Sequence, residues 1–175
     1  MEDRTREVRV RELRFEDDGS IPNNPTLPLL VYPQALAEDE RDPSRCKQRL
    51  AENGWGGAWV DGVFPYHHYH STSHEVLCVV GGGARLTFGG PKGETVEVRA
   101  GDVVVIPAGV GHCNEGSDSG FSVVGAYPRG QENYDLRTGE EGERPEVLEN
   151  IRGVMLPETD PLFGKKGPLI DRWSG

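Results

Sequence analysis

Between Trp55 and Tyr127 the chain never runs far without a glycine break. Gly81-Gly82-Gly83, Gly89-Gly90 and Gly109 separate short stretches rich in Val, Thr, Tyr and Phe. Seven such stretches read as strands: Ala58–Val60, Tyr66–His70, Glu75–Val80, Arg85–Phe88, Thr95–Arg99, Val103–Ile106 and Phe121–Tyr127. Short strands at this spacing, with turn residues between them, predict an antiparallel sandwich or barrel. The 24 glycines and 13 prolines agree, because they favour turns over long helices. A chain of 175 residues suits one domain with a real core. The expectation is an all-β domain over residues 1–175 with one or two short flanking helices. Its barrel would span about 55–128, with segments 1–54 and 129–175 packed against it.

The flanks carry weaker signals. Glu7 to Phe15 alternates charged with apolar residues and slips register once, at Arg11-Glu12, which predicts a strand. Ile21 to Pro28 is a turn-rich connector, and Leu29 to Tyr32 is a short apolar strand. Asp42-Pro43 is a helix start, with Asp as N-cap and Pro in the first turn, and Gly54 is a stop. Cys46 and Leu50 would share that helix's buried face. A second helix is expected from Pro145 to Asn150, ending at Gly153, with Val147, Leu148 and Ile151 inward. The tail from Leu156 to Gly175 contains Leu162, Phe163, Leu169, Ile170 and Trp173, so it should wrap on the body of the fold.

The formal net charge of −10 argues against a nucleic-acid surface and against membrane-surface binding. Solubility is the simplest reading of that charge. The start, MEDRTREVRVREL, has no apolar run of signal-peptide or membrane-spanning length. Cys46, Cys78 and Cys113 form no C-x-x-C pair. They read as reduced thiols of a cytoplasmic protein, although spacing leaves one disulfide open.

Functional information concentrates in two segments. Gly62 to Gly82 reads G-x5-H-x-H-x4-E-x6-G, holding His68, His70 and Glu75. Gly101 to His112 reads G-x5-P-x-G-x2-H. Side chains two apart on a strand share a face, so His68 and His70 can converge on one ion. Glu75 has the wrong parity, so the chain must turn at Ser71-Thr72-Ser73 to bring it round. Leu77 and Val79 would then share its face and line the same cavity. His112 follows a strand and a Pro-x-Gly turn that can place it opposite the first three. Imidazole and carboxylate together suit a borderline divalent ion, with room for exchangeable ligands. His67 and Tyr69 fall on the other face. His74 competes with Glu75 for the fourth place, since it lies four residues after His70, though Pro65 and the β-favouring neighbours disfavour a helix there.

These two segments resemble the two cupin motifs, including the spacing of the His-x-His, the Glu and the second-motif His. The resemblance covers Gly62 to about Asn114. It departs at one position: the family's second motif ends in Asn four residues after its His, where this chain has Gly116, with Asn114 offset. The flanks IPNNPTLPLLVY and DPLFGKKGPL are similar to a group of small bacterial cupins termed YjlB-like. The resemblance implies a double-stranded β-helix barrel, a central metal and a homodimer.

Other signals lose to simpler readings. Gly81-Gly82-Gly83 lacks a phosphate-loop pattern and is followed by Arg85-Leu86-Thr87-Phe88, which suits a hairpin. No G-x-S-x-G elbow accompanies the serines near His74. Tyr66 could face the cavity mouth, Arg85 could meet a substrate carboxylate, and Tyr127 could move protons. Alternation alone leaves either Arg85 and Thr87 or Leu86 and Phe88 inside. The functional expectation is a metal-dependent protein acting on a small oxygen-rich molecule, such as a small acid, sugar or phenolic. The reaction would be of dioxygenase, decarboxylase or isomerase type. Fe, Mn or Ni is favoured and Zn is possible. The alternative is a non-catalytic small-molecule or metal-binding barrel.

Overall fold

The computed structural model describes residues 9–174. Glu7, Val8 and the charged start before them lie outside the described residues, as does Gly175. Nine strands alternate with short connectors: β1 (Arg11–Leu13), β2 (Leu29–Tyr32), β3 (Trp55–Asp61), β4 (Glu75–Gly81), β5 (Gly83–Phe88), β6 (Glu94–Arg99), β7 (Val103–Ile106), β8 (His112–Ser117) and β9 (Ser122–Pro128). Three α-helices accompany them, α1 (Pro43–Glu52), α2 (Glu146–Gly153) and α3 (Pro168–Arg172), and a 3-10 helix at Glu38–Arg41 precedes α1. The strands form two antiparallel sheets, ordered β1-β2-β7-β4-β9-β3 and β6-β5-β8. Among the described residues neither sheet closes on itself.

The large sheet is buried on both faces, which explains why its central strands read VLCVV and VVVI rather than alternating with polar residues. One face carries Leu77, Val79, Val104, Ile106 and Val123 and packs against Leu86, Phe88, Val96 and Val98 of the small sheet. The other carries Val76, Cys78, Val103, Val105, Val124 and Ala126. Cys46 and Leu50 of α1, with Leu162, Leu169 and Trp173 of the tail, cover that face. Alternation on β5 is thereby decided: Leu86 and Phe88 point into the core and Arg85 is exposed.

Local chemistry sets the ends of the elements. Asp42 accepts from the Arg45 N–H and caps α1, and Pro43 occupies its first position, as the sequence predicts. The tail wraps through a buried carboxylate. Asp160 accepts from the Tyr32 hydroxyl at 2.6 Å and from the backbone N–H groups of Leu162, Phe163 and Leu169. Burial and the Asp160 charge raise the Tyr32 phenol, so it stays a donor. The Trp173 indole donates to the Pro28 carbonyl and locks the end of the tail to the start of β2. All three cysteines are free thiols.

Three expectations need correction. Residues 66–70 are not a regular strand: only isolated bridges form, His68 to His112 on one side and Tyr69 to Arg137 on the other. Pro65 has no N–H to give a ladder, and each neighbour pairs at a single residue. His112 begins a strand of its own, β8, which carries no apolar alternation to reveal it. Among the described residues three α-helices and one 3-10 helix are present instead of one or two short helices; α3 is a five-residue turn inside the Pro- and Gly-rich tail.

Replacing Asp160 by Ala would strand the Tyr32 hydroxyl and three N–H groups. The variant should lose about 3 kcal/mol of unfolding free energy in urea titrations. A loss near zero would show that the tail contributes little to holding the sheet's outer face.

Candidate metal centre

The functional side chains come from four separate pieces of chain. His68 and His70 lie on the bridged segment before β4. Backbone hydrogen bonds in both directions pair His68 with His112, at 3.1 and 2.9 Å, so the two motifs meet through their main chains. Tyr69 faces away, where its ring joins Ile21 and Val147 and its hydroxyl donates to Glu143. The parity change before Glu75 occurs at Ser71 and Thr72, as their sequence suggests. What holds it is Asp135, which accepts from both residues' N–H and hydroxyl groups. Glu75 opens β4 opposite Ile106, the last residue of β7. From there the chain turns through Gly109, whose φ is +90°. A Cβ at Gly109 would lie 2.6 Å from the Asn23 carbonyl oxygen and from Ile151, so only glycine fits this turn into His112.

Among the described residues, the ligand atoms of His70, Glu75 and His112 lie within 4.8 Å of one another, and all three are buried. Glu75 Oε1 stands 3.4 Å from His70 Nε2 and 3.3 Å from His112 Nε2. His68 is adjacent, with its ring centroid 4.0 Å from that of His112, but its nitrogens do not join this close group. His74 is elsewhere: its Nδ1 accepts from the Ala108 N–H and its ring packs on Trp173.

Backbone carbonyls fix the imidazoles. Nδ1 of His68 bonds the Tyr66 carbonyl at 2.9 Å, Nδ1 of His70 that of Asp135, and Nδ1 of His112 that of Val110 at 3.2 Å. A carbonyl can only accept, so each Nδ1 carries a proton and each neutral ring turns a bare Nε2 inward. Among the described residues, Glu75 Oε1 is buried and has no hydrogen-bond partner. Bare nitrogens and a bare carboxylate oxygen therefore face each other with no donor between them. Such a set calls for a cation. Burial opposes protonation of the His70 imidazole, yet the Glu75 charge prevails and raises it. Glu75 is likewise held well below the usual carboxylate range, His70 and His112 outweighing burial. His68 is pushed down to about 3 by burial and by His112.

Around this group lies a cavity of about 480 Å³. Tyr127 donates to Glu75 Oε2 at 2.9 Å and accepts from the Trp59 indole at 2.7 Å. Burial and the Glu75 charge raise its phenol, so it acts as a fixed donor to the carboxylate. Trp59 reaches this position because Gly125 has no side chain: a Cβ there would fall 2.2 Å from the indole. Tyr134 stacks on Tyr127 at 4.2 Å and meets the edge of His70 at 4.8 Å. Trp59, Tyr134 and Asp135 escape sequence reasoning. The latter two lie in the acidic, polar stretch from Gly130 to Glu143, which carries no local sign of a site. Tyr66 does not line the cavity but stacks on Phe64, which does. Arg85 is remote from it.

A second group, His67, Cys113 and Glu115, sits on the opposite face of the same strand pairing. Burial and Glu115 push the Cys113 thiol up to about 12, and it donates to Glu115. Asn114 accepts from the Gly116 N–H, and β8 bulges there against β5, which is how the turn after His112 differs.

Residues 59–120 match the family described as Cupin domain. The uncharacterized protein YjlB of Bacillus subtilis (strain 168) is 46% identical over 159 residues, covering 91% of this chain and 93% of YjlB. The chain belongs to the cupin family. The fold of this cupin is also similar to solved structures at low identity. An acireductone dioxygenase from Bacillus anthracis, with cadmium in its active centre, is 16% identical with a TM-score of 0.41, over 70% of this chain and 79% of that one. Oxalate decarboxylase of Bacillus subtilis, studied for its Mn(II) centres, is 20% identical with a TM-score of 0.34, over 63% of this chain and 22% of that one. The ions are properties of those proteins. No helix of this cupin's described residues is long and apolar enough to cross a membrane.

Two outcomes test the geometry. Gly125→Ala should displace the Trp59 indole from Tyr127, shifting tryptophan emission and costing about 2 kcal/mol. His74 is buried and its imidazole is pushed down to about 3, mainly by burial. The unfolded chain takes up that proton near pH 6.5 while the folded chain refuses it until about pH 3. Its contribution to stability is therefore complete above pH 6.5 and falls as the medium is acidified. At pH 4.5, His74→Gln should show about 2 kcal/mol less acid destabilisation than the parent, measured from pH 7 by urea unfolding. Equal slopes would exclude this account.

Proposed function

We propose that this cupin holds a divalent transition ion through His70, Glu75 and His112, with His68 as the fourth ligand. The two sheets are then the facing walls of a double-stranded β-helix, and the ligand set lies between them. One observation carries the reading: Glu75 Oε1 is buried, unpartnered, and faced by two imidazoles whose protons are committed to backbone carbonyls. Two or more imidazoles with one carboxylate suit Fe, Mn or Ni, and also Zn. When bound, such an ion supplies Lewis acidity and open positions for oxygen donors.

The chain's own residues do the rest. Backbone carbonyls orient the imidazoles, Tyr127 and Trp59 fix the carboxylate, and the cavity walls exclude water and hold a small molecule near Glu75. The best-supported function is a metal-dependent reaction on a small molecule presenting oxygen donors, of dioxygenase, decarboxylase or isomerase type. A non-catalytic binding role is favoured by one feature. Besides the four proposed ligands, the titratable side chains lining the cavity are Asp61, Tyr127 and Tyr134, and the Tyr127 proton is already engaged by Glu75.

Metal content after purification without added metal, measured by mass spectrometry, decides the first point. The parent should hold close to one equivalent of ion. Glu75→Gln and His112→Ala should each lose at least about 90% of it, as expected for a removed ligand. His74→Gln should retain it. Retention by Glu75→Gln together with loss in His74→Gln would reject the ligand set. Oxygen uptake and product analysis on the loaded protein then separate catalysis from binding.

A further inference from the structure

We infer that the cavity takes a ligand with a flat, apolar body and a single weakly acidic, oxygen-bearing end, not a polyanion or a free sugar. The inference rests on the metal reading above and specifies what would meet the ion.

Apart from Asp61 and the Tyr134 hydroxyl, the polar side chains of the cavity are concentrated around Glu75. The proposed ligands and the Tyr127 hydroxyl gather at the floor, and the walls are Trp59, Val63, Phe64, Leu77, Tyr134 and Leu136. Among the described residues, none of the fifteen that line the cavity is Lys or Arg. A ligand with two or three carboxylates would find no guanidinium or ammonium to pair with, and a buried unpaired charge is costly. A sugar needs donors and acceptors along its whole length, which aliphatic and aromatic walls do not offer. The Tyr127 hydroxyl is already shared between Glu75 and Trp59.

Charge balance points the same way. A divalent ion with one carboxylate and neutral imidazoles keeps a charge of about +1. One enolate or phenolate oxygen brings the buried site to neutrality, and a second anionic group overshoots. Asp61 at the mouth adds a further negative charge against polyanions. The mouth itself is apolar: Phe64 is 48% exposed, Leu136 46% and Tyr134 38%. Single exposed apolar residues are ordinary, but these three border one opening. A volume near 480 Å³ also exceeds what a two-carbon diacid fills and lies in the range for ring-sized ligands.

The test titrates protein loaded with Co(II), its cobalt content verified, with benzoylacetone, oxalate and glucose by calorimetry. Benzoylacetone should bind at least about tenfold tighter than either of the others. Leu136→Asp and Tyr134→Ala should each weaken it by about fivefold or more with cobalt content unchanged. Oxalate or glucose binding as tightly as benzoylacetone overturns the inference, as does unchanged affinity in both variants. Failure to retain cobalt would reject the metal reading instead. The ligand class is then read on metal-free protein by tryptophan quenching. Quenching by benzoylacetone without a response to oxalate or glucose supports the inference, and any other ranking, or no response to benzoylacetone, overturns it.

Discussion

A buried carboxylate that accepts a single hydrogen bond among the described residues is the constraint around which the candidate site is built. Glu75 is anchored at Oε2 by Tyr127 and left bare at Oε1. Burying such an oxygen costs several kcal/mol unless positive charge compensates it. The surrounding construction makes compensation available from one direction only. Each imidazole is tied through Nδ1 to the backbone, so none can swing its proton inward without breaking a hydrogen bond. The cation proposed for this place would therefore meet side chains that are already oriented.

The rest of the fold serves this arrangement at one remove. The large sheet is rigid because both its faces are covered, one by the small sheet and one by α1 and the tail. Glu75 at the first position of β4 inherits that rigidity. The His68–His112 bridge ties the two motifs at backbone level, so their separation is set by strand pairing and not by side-chain packing. The Asp160 network holds the tail over the outer face and keeps water from the buried valines.

Much of this was legible in the sequence, for identifiable reasons. The two-residue period of a strand put His68 and His70 on one face and His67 and Tyr69 on the other. Serine and threonine at 71–73 announced the turn that reverses the parity before Glu75. Runs such as VVVI announced strands buried on both sides. Other features were illegible because their cause lies far away in the chain. Asp135 orients His70 across 65 residues and shapes the turn at Ser71, yet locally it is one acid in an acidic loop. Trp59 owes its place to Gly125, a residue whose missing side chain carries no sign of what lies over it. The strand β8 reads HCNEGS, and its pairing is imposed by β5 and a bulge, not by its own pattern. The 66–70 segment failed as a strand because each side offers a single bridging residue.

The loop that carries Tyr134, Asp135 and Leu136 lies beyond the 59–120 stretch matched to the family, whereas Glu75 and the three histidines lie within it. The proposed ion ligands thus fall wholly within one length of polypeptide, while the cavity wall is shared between it and the later loop. Asp135 joins the two, its carbonyl steadying His70 while its neighbours Tyr134 and Leu136 form part of the cavity wall. Leu136 borders the opening without being one of the proposed ligands, so an exchange there reshapes the way in and spares the ligand set, whereas one at Tyr134 also reaches His70.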